Sequence, residues 1–265
     1  MFRILTIAAG LLLGATTVAS TVRADEKPTP ASDAANKQLK VLVDEFETDG
    51  NARESAGRFI KLAEQHSKSP VAVDALAWVV VNVSRGKDLE RAITLLTKEY
   101  VRSERLAPLC GRLPDRPSLA SESLLRELRA KSPHKSVRAQ ASFYLAVYLQ
   151  RQLALIDAFK KDETKRPQFE QFYGKSFTGH LARHDTIASL KEIESIYEDV
   201  VRSFPDVKVD DSTMAETARR QLYAIRNLSI GRTAPEITGQ DVDDKTFKLS
   251  DYRGKVVLLD FWGHW

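Results

Sequence analysis

Apolar residues recur three and four positions apart along most of this chain, and near Asn227 that rhythm stops. Leu39, Leu42, Val43 and Phe46 share one helical face, as do Ala56, Phe59, Ile60 and Ala63. Ser69-Pro70 opens the next helix, with the serine as N-cap and the proline at the first helical position, where its missing N–H costs nothing. Ala72, Ala75, Leu76, Val79 and Val83 form its apolar face. Gly86 punctuates it before Leu89, Ala92, Ile93, Leu96 and Tyr100. Pro108, Pro114 and Pro117 interrupt the middle of the region. Beyond them Leu124, Leu125 and Leu128 mark a short helix, and Val137, Ala141, Tyr144, Leu145, Tyr148 and Leu149 a longer one.

The stretch from Thr164 to Gly179 is less regular, with Pro167, two glycines and several aromatics, and reads as a loop or short helices packed on the bundle. Ile187, Leu190, Ile193, Tyr197, Val200 and Phe204 predict another helix, ended by Pro205. Thr213 and Glu216 have capping-box spacing ahead of Ala218, Leu222, Ile225 and Leu228. Ser69-Pro70 with Val73, Ala75 and Ala77 is echoed by Ser132-Pro133 with Val137, Ala139 and Ala141. Small residues so placed let helices approach closely, as in stacked hairpins. The region from 33 to 228 therefore looks like a tetratricopeptide-type array. No full repeat pattern recurs at a fixed period, so an irregular helical bundle stays open as the alternative.

After Asn227 the composition changes: Gly231, Pro235 and Gly239 arrive close together and strand patterns replace helical ones. Thr238 to Asp241 and Lys245 to Leu249 predict two short strands joined by a turn at Asp243-Asp244. Ser250 to Lys255 is a turn that feeds the apolar run Val256 to Phe261. A strand apolar on both faces normally lies inside a covered sheet, and the residues from 231 to 265 are too few to cover it. Trp262 and Trp265 follow the run. This end is accordingly expected to be cut from a larger domain.

At the other end, Arg3 precedes an apolar run from Ile4 to Val18, closed by small residues with Val22-Arg23-Ala24 ahead of Asp25. That is the pattern of a secretory signal over residues 1–24 with cleavage after Ala24. The run is shorter than the ~20 residues that span a bilayer, and no cysteine follows it for lipid attachment. The expected location is periplasmic or secreted, with no membrane contact after cleavage and a flexible tether over residues 25–32. The 43% apolar and 29% charged shares are those of a globular protein. The formal charge of +4 is small and its cations are interspersed with acids, which argues against nucleic-acid partners.

Candidate chemistry is sparse. Cys110 is the only cysteine, so no disulfide can form within the chain. Leu106, Pro108, Leu109 and Leu113 around it predict a buried, inert thiol. His180 and His184 are four apart on one helix face, but no glutamate of a metalloprotease helix lies between them and no third ligand suggests itself. They read as a solvated pair, and no metal is expected. Phe169, Phe172, Tyr173 and Phe177 read as packing rather than a ligand box. No phosphate-cradling glycine loop and no serine triad is present, and no cofactor is expected.

Three closely spaced sub-motifs carry a resemblance: Gly231-x-x-Ala234-Pro235, Leu249-Ser250-Asp251-Tyr252-Arg253-Gly254-Lys255, and Val256-Val257-Leu258-Leu259-Asp260-Phe261-Trp262-x-x-Trp265. In this order they resemble the redoxin group of the thioredoxin superfamily, the TlpA- and ResA-type thiol-disulfide oxidoreductases and the neighbouring AhpC/TSA peroxiredoxins. The paired tryptophans favour the thioredoxin-like branch. The fold so implied is a mainly α N-terminal helical-hairpin or bundle domain followed by the first strands of an α/β thioredoxin-like domain.

The resemblance further implies that Trp262 and Trp265 flank a Cys-x-x-Cys, which this sequence does not contain, and that Asp260 matches a buried acid able to accept a proton from the second thiol. From the residues alone, Asp260 reads equally as an edge or turn aspartate facing solvent. His264 reads as a solvated loop residue or one that tunes a thiolate. The implied activity is disulfide exchange with a disulfide-containing protein or redox partner, the helical region binding protein, and the fragment itself inactive. Two rivals stay open: a peroxiredoxin-type peroxidase, and a helical-repeat binding module with a vestigial redoxin segment.

Overall fold

A computed structural model describes residues 30–209 and 211–260. The expected export signal, most of the tether, and Phe261, Trp262, His264 and Trp265 lie outside the described residues. The first helix, α1 (Pro30–Asp49), begins inside the stretch expected to be tether. It is followed by α2 (Ala52–Gln65), α3 (Pro70–Asn82) and α4 (Lys87–Glu99), each packed on the one before. Ser69 caps α3 as its sequence predicts, its hydroxyl accepting from the Val71 N–H at 3.4 Å, with Pro70 in the first turn. This helix is apolar almost all round because it is surrounded: seven of its residues are buried. Trp78 lies flat on Phe59 at 3.7 Å between ring centroids and takes the edge of Phe46 at 4.8 Å, tying α1, α2 and α3 together.

The proline-interrupted middle is a short helix, α5 (Ala107–Cys110), between two 3₁₀ turns. Then come α6 (Leu119–Lys131) and α7 (Lys135–Lys161), the long central helix, against which α5, α6 and the later helices pack. Tyr148 of α7 is buried, and its hydroxyl donates to the Ser118 carbonyl at 2.8 Å, fixing the start of α6. The two Ser-Pro echoes turn out to do different jobs. Ser69 opens α3, whereas Ser132 closes α6 and its hydroxyl accepts from the His134 N–H, with α7 starting only at Lys135.

The irregular stretch forms two short helices, α8 (Arg166–Tyr173) and α9 (Lys175–Arg183), meeting at Gly174 with φ +84°. Next is α10 (Thr186–Ser203), started by Asp185, whose carboxylate accepts from the N–H groups of Ile187 and Ala188. A two-residue hairpin, β1 (Lys208–Val209) and β2 (Ser212–Thr213), was not indicated by any periodicity. It leads into α11 (Met214–Tyr223), where the capping box is complete: Thr213 Oγ1 accepts from the Glu216 N–H and Glu216 accepts from the Thr213 N–H. A wide helical turn, Ala224–Leu228, ends the helical region.

The last described part holds β3 (Thr238–Gln240) and β4 (Thr246–Lys248), paired antiparallel with Gly239 opposite Phe247. A 3₁₀ turn, Leu249–Tyr252, follows. Among the described residues the chain is thus mainly helical, with two small hairpins as strand content. No described helix is long and apolar enough to cross a membrane.

Candidate functional site

The C-terminal hairpin is built by short polar side chains. Asp241 Oδ1 accepts from the N–H groups of Asp243 and Lys245, both at 2.9 Å, and so closes the turn. Asp244 sits there at φ +59°, a conformation that glycine adopts without cost. Gly239 lies against its neighbour: a Cβ would meet the Phe247 ring at 3.0 Å, and the ring would have to give way. Glu236 spans the base, accepting from the N–H groups of Ile237 and Ser250, and its bonds to Ser250 hold its carboxyl below the ordinary range.

Beyond Gly254 the expected strand does not form. Residues 256–260 pair with nothing among the described residues, and Val256 and Leu258 stand 102% and 93% exposed. The reason is physical: a ladder requires a neighbour, and the hairpin presents none to this segment. Asp260 is exposed. Trp262 and Trp265 lie outside the described residues. Cys110 is completely buried in α5, its thiol donating to the Leu106 carbonyl at 3.4 Å, and burial pushes it up to about 12. It is an inert core thiol, far from a reactive thiolate.

The helical region holds a polar seam that no periodicity revealed. Glu122 of α6, with only 13% of its side chain exposed, accepts from Arg126 Nε at 2.9 Å and from Gln152 Nε2 of α7 at 3.4 Å. Arg126 then reaches both carboxylate oxygens of Glu192 on α10, at 2.5 and 3.1 Å. That two-pronged bond is the main cause holding the Glu192 carboxyl below its ordinary value. Glu122 and Glu192 are 70 positions apart, so only the packed α6, α7 and α10 bring them together.

His180 and His184 face this seam, which corrects their reading as a solvated pair. Both are half-buried, because α9 lays that face on the seam. Their ring centroids are 5.1 Å apart. His180 Nε2 lies 3.8 Å from Glu122 Oε2, and His184 Nε2 is 2.5 Å from Ser189 Oγ. Among the described residues, no cluster of three or more His, Cys, Asp or Glu could hold a metal ion. The aromatics Phe169, Phe172, Tyr173 and Phe177 form a chain of ring contacts along α8 and α9.

Two open clefts flank the long helix. One, of about 360 Å³, lies among Arg129, Lys135, Arg138 and Asp199; the other, of about 340 Å³, among Pro114, Pro117, Leu155 and Tyr173.

No protein-family model matches the chain, and no solved structure matches it. Over 38 residues it is 45% identical to the thiol-disulfide oxidoreductase ResA of Geobacillus thermodenitrificans. Over the same length it is 47% identical to ResA of Geobacillus kaustophilus and 42% to ResA of Bacillus thuringiensis. Each match takes in 14% of this chain and spans 22% of the length of the curated relative. The chain is therefore related, over a short segment, to thioredoxin-like thiol-disulfide oxidoreductases.

Proposed function

We propose that residues 231–265 begin a thioredoxin-like domain of an exported thiol-disulfide oxidoreductase, and that the helical region from 33 to 228 positions its protein partner. The supporting observation is the ResA likeness, 42–47% identity over 38 residues, a length close to that of the segment carrying the redoxin sub-motifs. The Asp241-closed hairpin between those sub-motifs is consistent with it. The signal-like pattern over residues 1–24 supports export.

In this reading Asp260 is the proton acceptor for the second thiol, and Trp262 and Trp265 flank the dithiol. Exchange runs through a mixed disulfide: a thiolate attacks a substrate sulfur, the substrate's other sulfur leaves as thiolate, and the second thiol then resolves the bond. The sequence contains one cysteine, and it is sealed in α5. The polypeptide by itself is therefore expected to be inert in insulin-disulfide reduction, and turnover that depends on Cys110 would overturn this assignment. The coding sequence following the Trp265 codon decides among the readings. Cys-x-x-Cys supports the oxidoreductase, a later single cysteine in a Thr-x-x-Cys context the peroxidase, and a stop codon the binding module.

A further inference from the structure

Besides the ring contact of Phe169 with Phe159 and the Arg85 guanidinium over Phe172, two devices fasten the α8–α9 hairpin to the molecule. Its apolar hold is a small cluster of its own, Ile156, Phe177 and Leu181, apart from the main core. No residue of α8 is buried, and Gly174 joins the two helices in a left-handed conformation. Its polar hold is the histidine pair. His180 meets Glu122 of α6, and His184 meets Ser189 of α10; the charges of Glu122, of Glu192 on α10 and of Asp185 just before it act on His184, and Arg126 of α6 and Gln152 of α7 are bound to Glu122. Arg183 lies on α9 itself. Within the seam Glu122, Glu192 and Arg126 sum to one negative charge when both imidazoles are neutral. His180 Nε2 is sealed from solvent without a hydrogen-bond partner among the described residues, 3.8 Å from a carboxylate oxygen.

We propose that His180 and His184 form a proton-operated latch on the α8–α9 hairpin: it holds while at most one of the two imidazoles carries a proton, and a second proton releases it. The second places two imidazolium rings 5.1 Å apart in a half-buried site. Burial, and then the neighbouring His180, hold His184 below its ordinary value of 6.5. The sign follows. With its docked value depressed, His184 contributes to docking above its ordinary value, and that contribution is lost as pH falls through the depressed one. Release frees Tyr173, a wall of the Pro114–Pro117 cleft, and uncovers Ile156 and Phe177. The latch depends on the helical region alone and stands independently of the redoxin reading.

Amide hydrogen exchange on the full chain, corrected for intrinsic rates, tests it. Between about pH 7.5 and about pH 5, protection of the α9 amides is expected to fall about tenfold, while α3 keeps its protection. His184→Gln or His180→Gln should each flatten that dependence, because release takes two protons. An α9 protection that is flat with pH, that falls equally in α3, or that still falls in both variants overturns the proposal. Should a variant fail to fold, the imidazole resonances of the unmodified chain decide. His184 titrating at its ordinary value, independently of His180, refutes the latch; a depressed second step supports it.

Discussion

Two apolar strings in this chain have opposite fates. Seven of the ten residues from Val71 to Val80 in α3 are buried, whereas Val256 to Leu259 is exposed throughout. Both are predominantly apolar, with Asp74 the one charged residue in the first. The difference lies in neighbours: α3 is enclosed by α1, α2 and α4, while the hairpin before Val256 offers no second layer. No residue from Tyr223 to Asp260 is buried, although β3 and β4 are properly hydrogen-bonded. Hydrogen bonding and turn chemistry suffice to shape a hairpin locally. Burial requires surfaces supplied from elsewhere in a fold.

The largest expected contrast comes from truncating one leucine in each region. Leu145→Ala, in the middle of α7, should cost about 2–5 kcal/mol in urea denaturation. Leu258→Ala should leave the midpoint unchanged, since that side chain is already 93% exposed. A measurable loss on Leu258→Ala would mean that the segment packs on the helical region after all. Next in size is Arg126→Met, which strips Glu122 and Glu192 of their shared donor. A loss of about 1–3 kcal/mol is expected, read from the same denaturation curves.

The smallest effect sharpens the boundary between the regions. Thr213→Ala removes the capping box of α11 and should cost about 1 kcal/mol. Its partner Glu216 is held below its ordinary value of 4.5 by the Thr213 N–H and hydroxyl. The box therefore contributes above that value and fades as pH falls through the lowered one. The gap between Thr213→Ala and the unmodified chain should accordingly narrow in acid without closing, because the bond from the Glu216 N–H to Thr213 Oγ1 does not titrate; a gap wholly unchanged there would remove the Glu216 carboxylate from the account.

Much of the fold was legible because it is local. The apolar spacing, the Ser69-Pro70 start, the Thr213–Glu216 box and the Asp243-Asp244 turn each depend on residues within a few positions of one another. What escaped reading depends on distance along the chain. The spacing of His180 and His184 showed a shared face, but not that the face meets a carboxylate 58 positions earlier, Glu122. Nor could the run from Val256 show whether a sheet surrounds it: alternation and apolarity describe what a segment could bury, and the rest of the fold decides whether it does. The candidate redox site was legible only by resemblance. Of its residues, Asp260 alone is described, and it faces solvent.

The single sulfhydryl has a practical corollary. Cys110 is sealed at the end of α5, and a thiol of this kind reacts with an alkylating reagent only when the core around it parts. Each polypeptide can therefore take up one adduct, and only after it has opened. With enough reagent that alkylation outruns reclosing, counting adducts by mass against time yields the opening rate of the helical body, with no engineered probe and no background from a second site.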